Sequence, residues 1–314
     1  MATPISFTKP VCLCCGTSGT SAVWAQATDL EYRTTNELFN ILKCSTCGSM
    51  FIHPVPEDRL SEIYPSNYYS FAQSQDSLVH RIKTWLDKRY FRPLLKQVPG
   101  NSLSALDVGG GAGWELQVLK QADNRIAFTQ VVDLDVDAEK LALANGHQYF
   151  CGRIEDFTTD KKFDVILMLN LIEHVANPLA VLAQARNLLS PSGIILIKTP
   201  NIDSWDARIF RNKNWGGFHC PRHWTLFTKE SLTGLVEKAD LKVVQANYTQ
   251  GAPFWTTSVL FALERLGWVS ITRERPVVYH PFFGILSALF AGFDFIRGRF
   301  AKTSQMFFIL GNKN

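Results

Sequence analysis

The sequence lacks an apolar stretch able to cross a bilayer. Its longest uncharged apolar run, residues 282–293, stops well short of the ~20 residues that a membrane-spanning helix needs. It also lacks a positively charged start followed by an apolar segment and a cleavage site, so a cytoplasmic location is expected. Charge of one sign is missing too: 32 Lys and Arg face 28 Asp and Glu, a formal net charge of +4, with the cations scattered along the chain. That scatter, without a basic stripe, argues against a nucleic-acid partner. Cysteine is sparse except at one end, where five of the seven fall before residue 48. In a reducing compartment such clustering points to metal before disulfides. No internal repeat or low-complexity tract interrupts the chain.

What is present is enough apolar material, 46% of 314 residues, for one large domain or two modest ones. Residues 1–52 form the cysteine-containing part. Pro54 and Pro56 break regular structure, and 53–76, with Tyr64, Tyr68 and Tyr69, reads as a linker or lid. From 77 to 98, Leu78, Ile82, Trp85, Leu86, Tyr90, Leu94 and Leu95 recur at helical spacing, with Pro93 a candidate kink. Strand patterns then fall at 103–108, 127–133, 148–151, 163–169 and 193–198, and helix patterns at 114–121, 137–145, 178–189 and 229–239. Asn177 before Pro178 marks a helix start, and residues 191–193 read as a tight turn. Residues 241–248 and 306–310 add two strands that can pair antiparallel. Apolar strands alternating with amphipathic helices predict an α/β fold, a doubly wound, mainly parallel seven-stranded sheet over 77–250 completed by 304–314.

Ligands in such sheets sit beyond the carboxyl ends of the strands. Asp107, Gly109, Gly110, Gly111 and Gly113 lie there, between the first strand and a helix whose amino-terminal amides favour an anionic group. A dinucleotide fingerprint would need glycine where Trp114 stands. The spacing instead resembles the first motif of class I S-adenosylmethionine-dependent methyltransferases, a likeness that runs from about residue 103 to 246. It implies S-adenosylmethionine as cofactor, with Asp133, or alternatively Asp135, on the ribose hydroxyls. Ile154 or a neighbour would pack on the adenine, Glu155 or Asp156 would accept from its amine, and Asn170 would line the same cleft.

Methyl transfer asks the protein to align an acceptor and, where needed, to remove a proton. Glu173 and His174 follow the fourth strand and can serve as catalytic groups or as braces of the cofactor loop. The stretch resembles one in ubiquinone-pathway O-methyltransferases, some of which hold a divalent metal with a further acid; that acid is Asn170 here. His219 and His223 lie in a long loop after the fifth strand, where an acceptor would enter. The segment at His223 resembles the one carrying the base in sugar C-methyltransferases, but its tyrosine and glutamate companions are replaced by Cys220 and Arg222. A general base acting on a hydroxyl is the simpler expectation.

Cys12, Cys15, Cys44 and Cys47 make two Cys-x-x-Cys knuckles, each followed by glycine, the donor set of a structural zinc ribbon, with Cys14 outside it. Ribbon, linker and methyltransferase core together resemble a bacterial group associated with surface glycans and nucleotide sugars. Residues 251–303 form an apolar helical insertion. It is expected to pack on its own domain or at a homodimer interface, with peripheral contact on a membrane surface the other reading. The reading favoured is methylation, at oxygen, of a small molecule or a sugar or glycan. The alternatives are C-methylation of a nucleotide-linked keto sugar, RNA modification, and a non-catalytic cofactor-binding protein.

Overall fold

The computed structural model describes residues 10–68 and 78–313. Part of the tyrosine-rich linker, including Tyr69, lies outside the described residues, as do the side chains of Leu78 and Ile82.

The chain opens with three antiparallel strands, β1 (Ser21–Ala27), β2 (Phe39–Cys44) and β3 (Met50–His53). A single turn of helix, α1 (Leu60–Ile63), leads on to α2 (Leu78–Leu95), which ends two residues after Pro93. The core then alternates: β4 (Leu103–Val108), α3 (Trp114–Ala122), β5 (Ile126–Asp133), α4 (Val136–Ala144), β6 (Gln148–Cys151), β7 (Phe163–Leu169), α5 (Pro178–Leu188) and β8 (Leu189–Pro200). A long connection follows, with α6 (Trp205–Ile209) and the two-residue β9 (Thr225–Leu226), before α7 (Lys229–Lys238) and β10 (Leu241–Thr249). The helical hairpin α8 (Ala252–Arg265) and α9 (Phe283–Arg297) precedes β11 (Gln305–Asn312).

Among the described residues the larger sheet has seven strands in the order β10-β11-β8-β7-β4-β5-β6. β11 runs antiparallel between β8 and β10, and the remaining pairs are parallel. Strict alternation sorts the side chains. Leu106, Ile166, Ile195 and Phe308 join the core under α5 and α7, while Ala105, Val165, Leu196 and Phe307 join the core under α2 and α3. Asn177 caps α5, its side chain accepting from the Ala180 N–H at 3.0 Å.

Two sequence readings need correcting. Residues 191–193 are no separate turn but part of β8: pairing jumps from Phe163 opposite Leu189 to Val165 opposite Ile194, and the intervening residues bulge out. In α2 the apolar set does not bury as one face, because Trp85, Leu86 and Tyr90 are exposed while Phe91, Leu94 and Leu95 enter the core. Its last turns enter the core, while nearer its start the helix meets α3 through polar groups, Lys83 reaching Glu115 at 3.1 Å and lying over the Trp114 ring. No helix among the described residues is long and apolar enough to cross a membrane.

β9 sits in the smaller sheet, in the order β1-β2-β3-β9, so the loop after β8 contributes a strand to the amino-terminal sheet. Ala25, Phe39, Ile41 and Ile52 share a core with Trp215, Phe218, Trp224 and Leu226 of that loop.

Candidate active site

Strand order reverses between β4 and β7, and the site lies beyond their carboxyl ends. The turn after β4 holds Gly109, Gly111 and Gly113 at φ of 74°, 50° and 80°, which side chains disfavour. Gly110 is required for space: a Cβ there would lie 2.5 Å from the Asp107 carboxyl. A Cβ on Gly113 would collide with the His147 imidazole.

Asp107 is buried with its Oδ2 unpartnered, and burial, reinforced by Glu115 and Asp133, pushes its carboxyl well above the usual range. Asp133, at the end of β5, accepts the Gly111 N–H at 2.7 Å and the Asp135 N–H at 3.0 Å, leaving lone pairs on both oxygens. Asp135 caps α4 through the Asp137 and Ala138 amides. Ile154 is buried in the core, whereas Glu155 and Asp156 are exposed on the turn beside it. Asn170, at φ 57°, accepts from the Gln305 amide at 2.6 Å.

Beyond β7 a cluster of imidazoles forms. Glu173 is fully buried; its Oε2 accepts the Thr199 hydroxyl at 2.9 Å, its Oε1 has no hydrogen-bond partner among the described residues, and burial pushes it up to about 8. His223 Nε2 lies 4.0 Å from that Oε1. The His223 Nδ1 faces the Gly217 carbonyl at 2.9 Å, and the His174 Nδ1 faces the Arg222 carbonyl at 3.0 Å. A carbonyl only accepts, so both Nδ1 atoms carry the proton and both Nε2 atoms present a lone pair. Burial, with neighbouring histidines second, lowers His174 to about 3 and His223 well below the usual imidazole value.

His219, at φ 37°, is held from both sides: Nδ1 lies 2.5 Å from Glu31 Oε2 and Nε2 lies 3.0 Å from the Tyr68 hydroxyl. Tyr64 places its hydroxyl 3.1 Å from His174 Nδ1. The structure thus brings Glu173, His174, His219 and His223 together, with ring centroids of His174 and His223 4.6 Å apart and of His219 and His223 4.9 Å apart. Asp29, Glu31, Tyr64 and Tyr68, which surround them, were not singled out by sequence reasoning as site residues; the tyrosine-rich run was the one signal available. Arg222, standing where sugar C-methyltransferases carry glutamate, is sealed against Asp29.

Among the described residues two donor sets could hold metal. Cys12, Cys15, Cys44 and Cys47 converge, with Sγ separations of 3.7 Å for Cys12 to Cys47 and 3.6 Å for Cys15 to Cys44. Cys14 turns away toward the Ser231 carbonyl at 3.6 Å. Glu173, His174 and His223 also offer ligand atoms within 4.8 Å of one another, whereas Asn170 is turned to Gln305.

A family model described as a methyltransferase domain matches residues 79–246. The ubiquinone biosynthesis O-methyltransferase of Cereibacter sphaeroides is 28% identical over 218 residues, covering 65% of this chain and 81% of the relative. The mitochondrial ubiquinone biosynthesis O-methyltransferase of Candida albicans is 28% identical over 170 residues, and the match spans about half of each protein, 50% of this chain and 51% of the relative. Among solved structures, coclaurine N-methyltransferase bound to N-methylheliamine and S-adenosylhomocysteine has a TM-score of 0.51 at 14% identity, covering 82% of this chain and 81% of its own. A protein described as a sarcosine dimethylglycine methyltransferase from Galdieria sulphuraria also has a TM-score of 0.51 at 14% identity, over 74% of this chain and 88% of its own. At that identity the likeness is one of fold.

Proposed function

The chain belongs to the methyltransferase-domain family, whose fold serves S-adenosylmethionine, and on that premise we propose that it methylates an oxygen of a small-molecule or glycan acceptor with His223 as general base. The observation that carries the reading is the His223 ring itself. Its Nδ1–H is engaged by the Gly217 carbonyl, which aims the lone pair of Nε2 into the cluster beyond β7. Burial holds the ring neutral, so it is in the proton-accepting form at neutral pH.

The residues present fit the cofactor. Gly109, Gly110, Gly111 and Gly113 leave a turn whose one side chain is the Ala112 methyl, and the acid Asp133 keeps lone pairs for a vicinal diol. Glu155 or Asp156 would accept from the adenine amine, and Asn170 would line the cleft between. The cofactor supplies a methyl group already activated on sulfonium. The protein's part is to hold the acceptor hydroxyl beside His223, to take its proton at Nε2, and to exclude water from the cleft. Glu173, protonated at neutral pH, adds no negative charge beside the base. His174 and His219 pack beside His223, braced by Tyr64 and by Glu31 and Tyr68.

The amino-terminal cysteines hold structural zinc in this reading. A tetrahedron with Zn–S bonds of ~2.3 Å has sulfur–sulfur edges of about 3.8 Å, close to the two separations that run from one knuckle to the other. The amino-terminal segment also contributes Asp29 and Glu31, which fix Arg222 and His219 of the histidine loop.

The test is calorimetry with S-adenosylhomocysteine followed by a methyl-transfer screen over phenols, sugars and glycan fragments. Binding with transfer to a hydroxyl is expected. Binding without transfer to any acceptor would leave a cofactor-binding protein, and affinity enhanced by RNA in high salt would indicate an RNA modifier.

A further inference from the structure

The hairpin of α8 and α9 has one face committed to the domain and one left open. Inward, Trp255 stacks on Phe290 with ring centroids 5.4 Å apart, and Asp294 accepts the Gly251 N–H at 2.8 Å. Outward, Phe282, Ile285, Leu289, Phe293 and Ile296 recur at steps of three and four residues and so line one side of α9. Their exposures are 53%, 64%, 65%, 41% and 68%, and Phe300 beyond the helix reaches 84%. Trp268, at the opposite end of the hairpin, is 75% exposed. A contiguous apolar stripe of this kind marks an interaction surface.

The charges around the stripe decide what fits it. Glu264 is taken by Arg33 at 2.6 Å, Asp294 by Arg297 at 2.8 Å, and Lys302 is paired with Asp203. With those pairs set aside, the exposed charges of residues 264–302 are Arg265, Arg273, Arg275 and Arg299 against Glu274 alone. We propose that this face docks on an anionic lipid bilayer, with α9 lying in the plane of the surface. The apolar side chains would enter the boundary between headgroups and acyl chains, Trp268 would sit at headgroup level, and the arginines would reach the lipid phosphates. A second copy of the chain fits less well, because a two-fold contact through α9 would set each arginine rim against its own copy.

The face is also tied to the histidine loop. The Gly216 N–H donates to the Ser258 hydroxyl of α8 at 2.8 Å, and the Asn67 amide, next to Tyr68, donates to the Arg273 carbonyl at 3.0 Å. Docking of the hairpin therefore brings the loop that carries His219 and His223 near the lipid surface. The proposal does not depend on the methyl acceptor, and its test is read without turnover.

The 314-residue chain is sedimented with vesicles of phosphatidylcholine alone and of phosphatidylcholine with phosphatidylglycerol, at low and high salt. It is expected to bind the anionic vesicles at least about tenfold more tightly than the neutral ones, an advantage that shrinks as salt rises. The combined variant Ile285→Glu, Leu289→Glu and Ile296→Glu should lower binding by roughly a hundredfold or more. Its circular dichroism and melting temperature should stay those of the parent, since the three side chains are exposed. Replacing Arg265 and Arg299 by Ala should weaken binding to anionic vesicles only. Absence of binding, binding indifferent to lipid charge, or binding retained by the triple-glutamate variant would each overturn the proposal. So would light scattering that shows a dimer dispersed by that variant.

Discussion

Asp29 and Arg222, 193 residues apart in sequence, form an ion pair at 2.8 Å from which solvent is fully excluded on both sides. Burial alone would raise the Asp29 carboxyl, but the adjacent guanidinium outweighs it and holds the acid below its usual range. Arg222 also donates to the Ile63 carbonyl at 2.7 Å and lies over the Tyr32 ring, its guanidinium carbon 4.5 Å from the centroid. The pair joins the amino-terminal segment to the histidine loop. Breaking it from one side strands a buried cation, so Asp29→Asn should cost about 3–5 kcal/mol in urea unfolding. Asp29→Asn combined with Arg222→Met should recover most of that loss. An unfolding midpoint equal to the parent's for Asp29→Asn alone would show that the pair does not hold the segments together.

His223→Ala should leave S-adenosylhomocysteine affinity nearly intact and lower turnover by on the order of a hundredfold or more. The separation follows from position: His223 contacts the Gly217 carbonyl and faces Glu173, while the glycine turn lies at the end of β4. Calorimetry and initial rates on the same preparation read both quantities. Unchanged turnover with the true acceptor would remove His223 from the mechanism.

Gly110→Ala tests the cofactor turn through space alone, since the constraint at this glycine is the Asp107 carboxyl 2.5 Å from where the Cβ would sit. The methyl group must displace Asp107 or the turn, and S-adenosylhomocysteine affinity should fall at least about tenfold, in keeping with the cost of overpacking. Adding Asp107→Ala removes the carboxyl contacts at 2.5 Å but keeps the Asp107 Cβ at 2.8 Å, so the double variant should melt above the single one, below the parent, and still bind poorly. Full affinity in Gly110→Ala would show that the turn does not meet the cofactor.

The histidine cluster predicts a stability optimum near pH 6.5. His174, lowered to about 3, and His223, lowered well below its usual value chiefly by burial, favour the neutral imidazole in the folded state. Their stabilisation is complete above about pH 6.5, the unfolded value, and is lost as pH falls below it. Glu173 has the opposite sign. Its folded value of about 8 lies above the unfolded 4.5, so its contribution is complete below 4.5 and lost as pH rises toward 8. Between 4.5 and 6.5 the two histidines outweigh the one acid, and above 6.5 only Glu173 acts. Glu173→Gln should therefore flatten the alkaline limb, whose slope is at most about 1.4 kcal/mol per pH unit, and leave the acid limb in place. Urea unfolding from pH 5 to 8 reads both limbs, and an alkaline limb unchanged in Glu173→Gln would refute the assignment.

Features that a short stretch of sequence encodes were legible. The strand at 163–169 and the glycine turn follow from apolar runs and from residues that must bend the chain, and both stand where the pattern put them. The start of β8 was misplaced because Pro191 and Gly193 signal a turn, and only the pairing with β7 shows them to be a bulge. In α2 the periodicity was present, but periodicity does not say which length of a helix a domain will cover. The site divides in the same way. Asp107, Asp133 and Glu173 could be placed because each lies at or just past the carboxyl end of a strand, whereas Glu31 meets His219 across 188 residues and Tyr68 meets it across 151, with no local pattern to announce either contact.

The two residues of β9 give the glycine turn and the histidine loop of this protein different dependencies. A chain begun at α2 would keep the glycine turn, Asp133 and the whole seven-stranded sheet. It would lose the partner strand of Thr225 and Leu226 together with the groups that fix His219 and Arg222. On the proposed function such a truncation is expected to capture the methyl donor and leave it unspent, because the histidine loop would lose the strand and the acids that hold it in place.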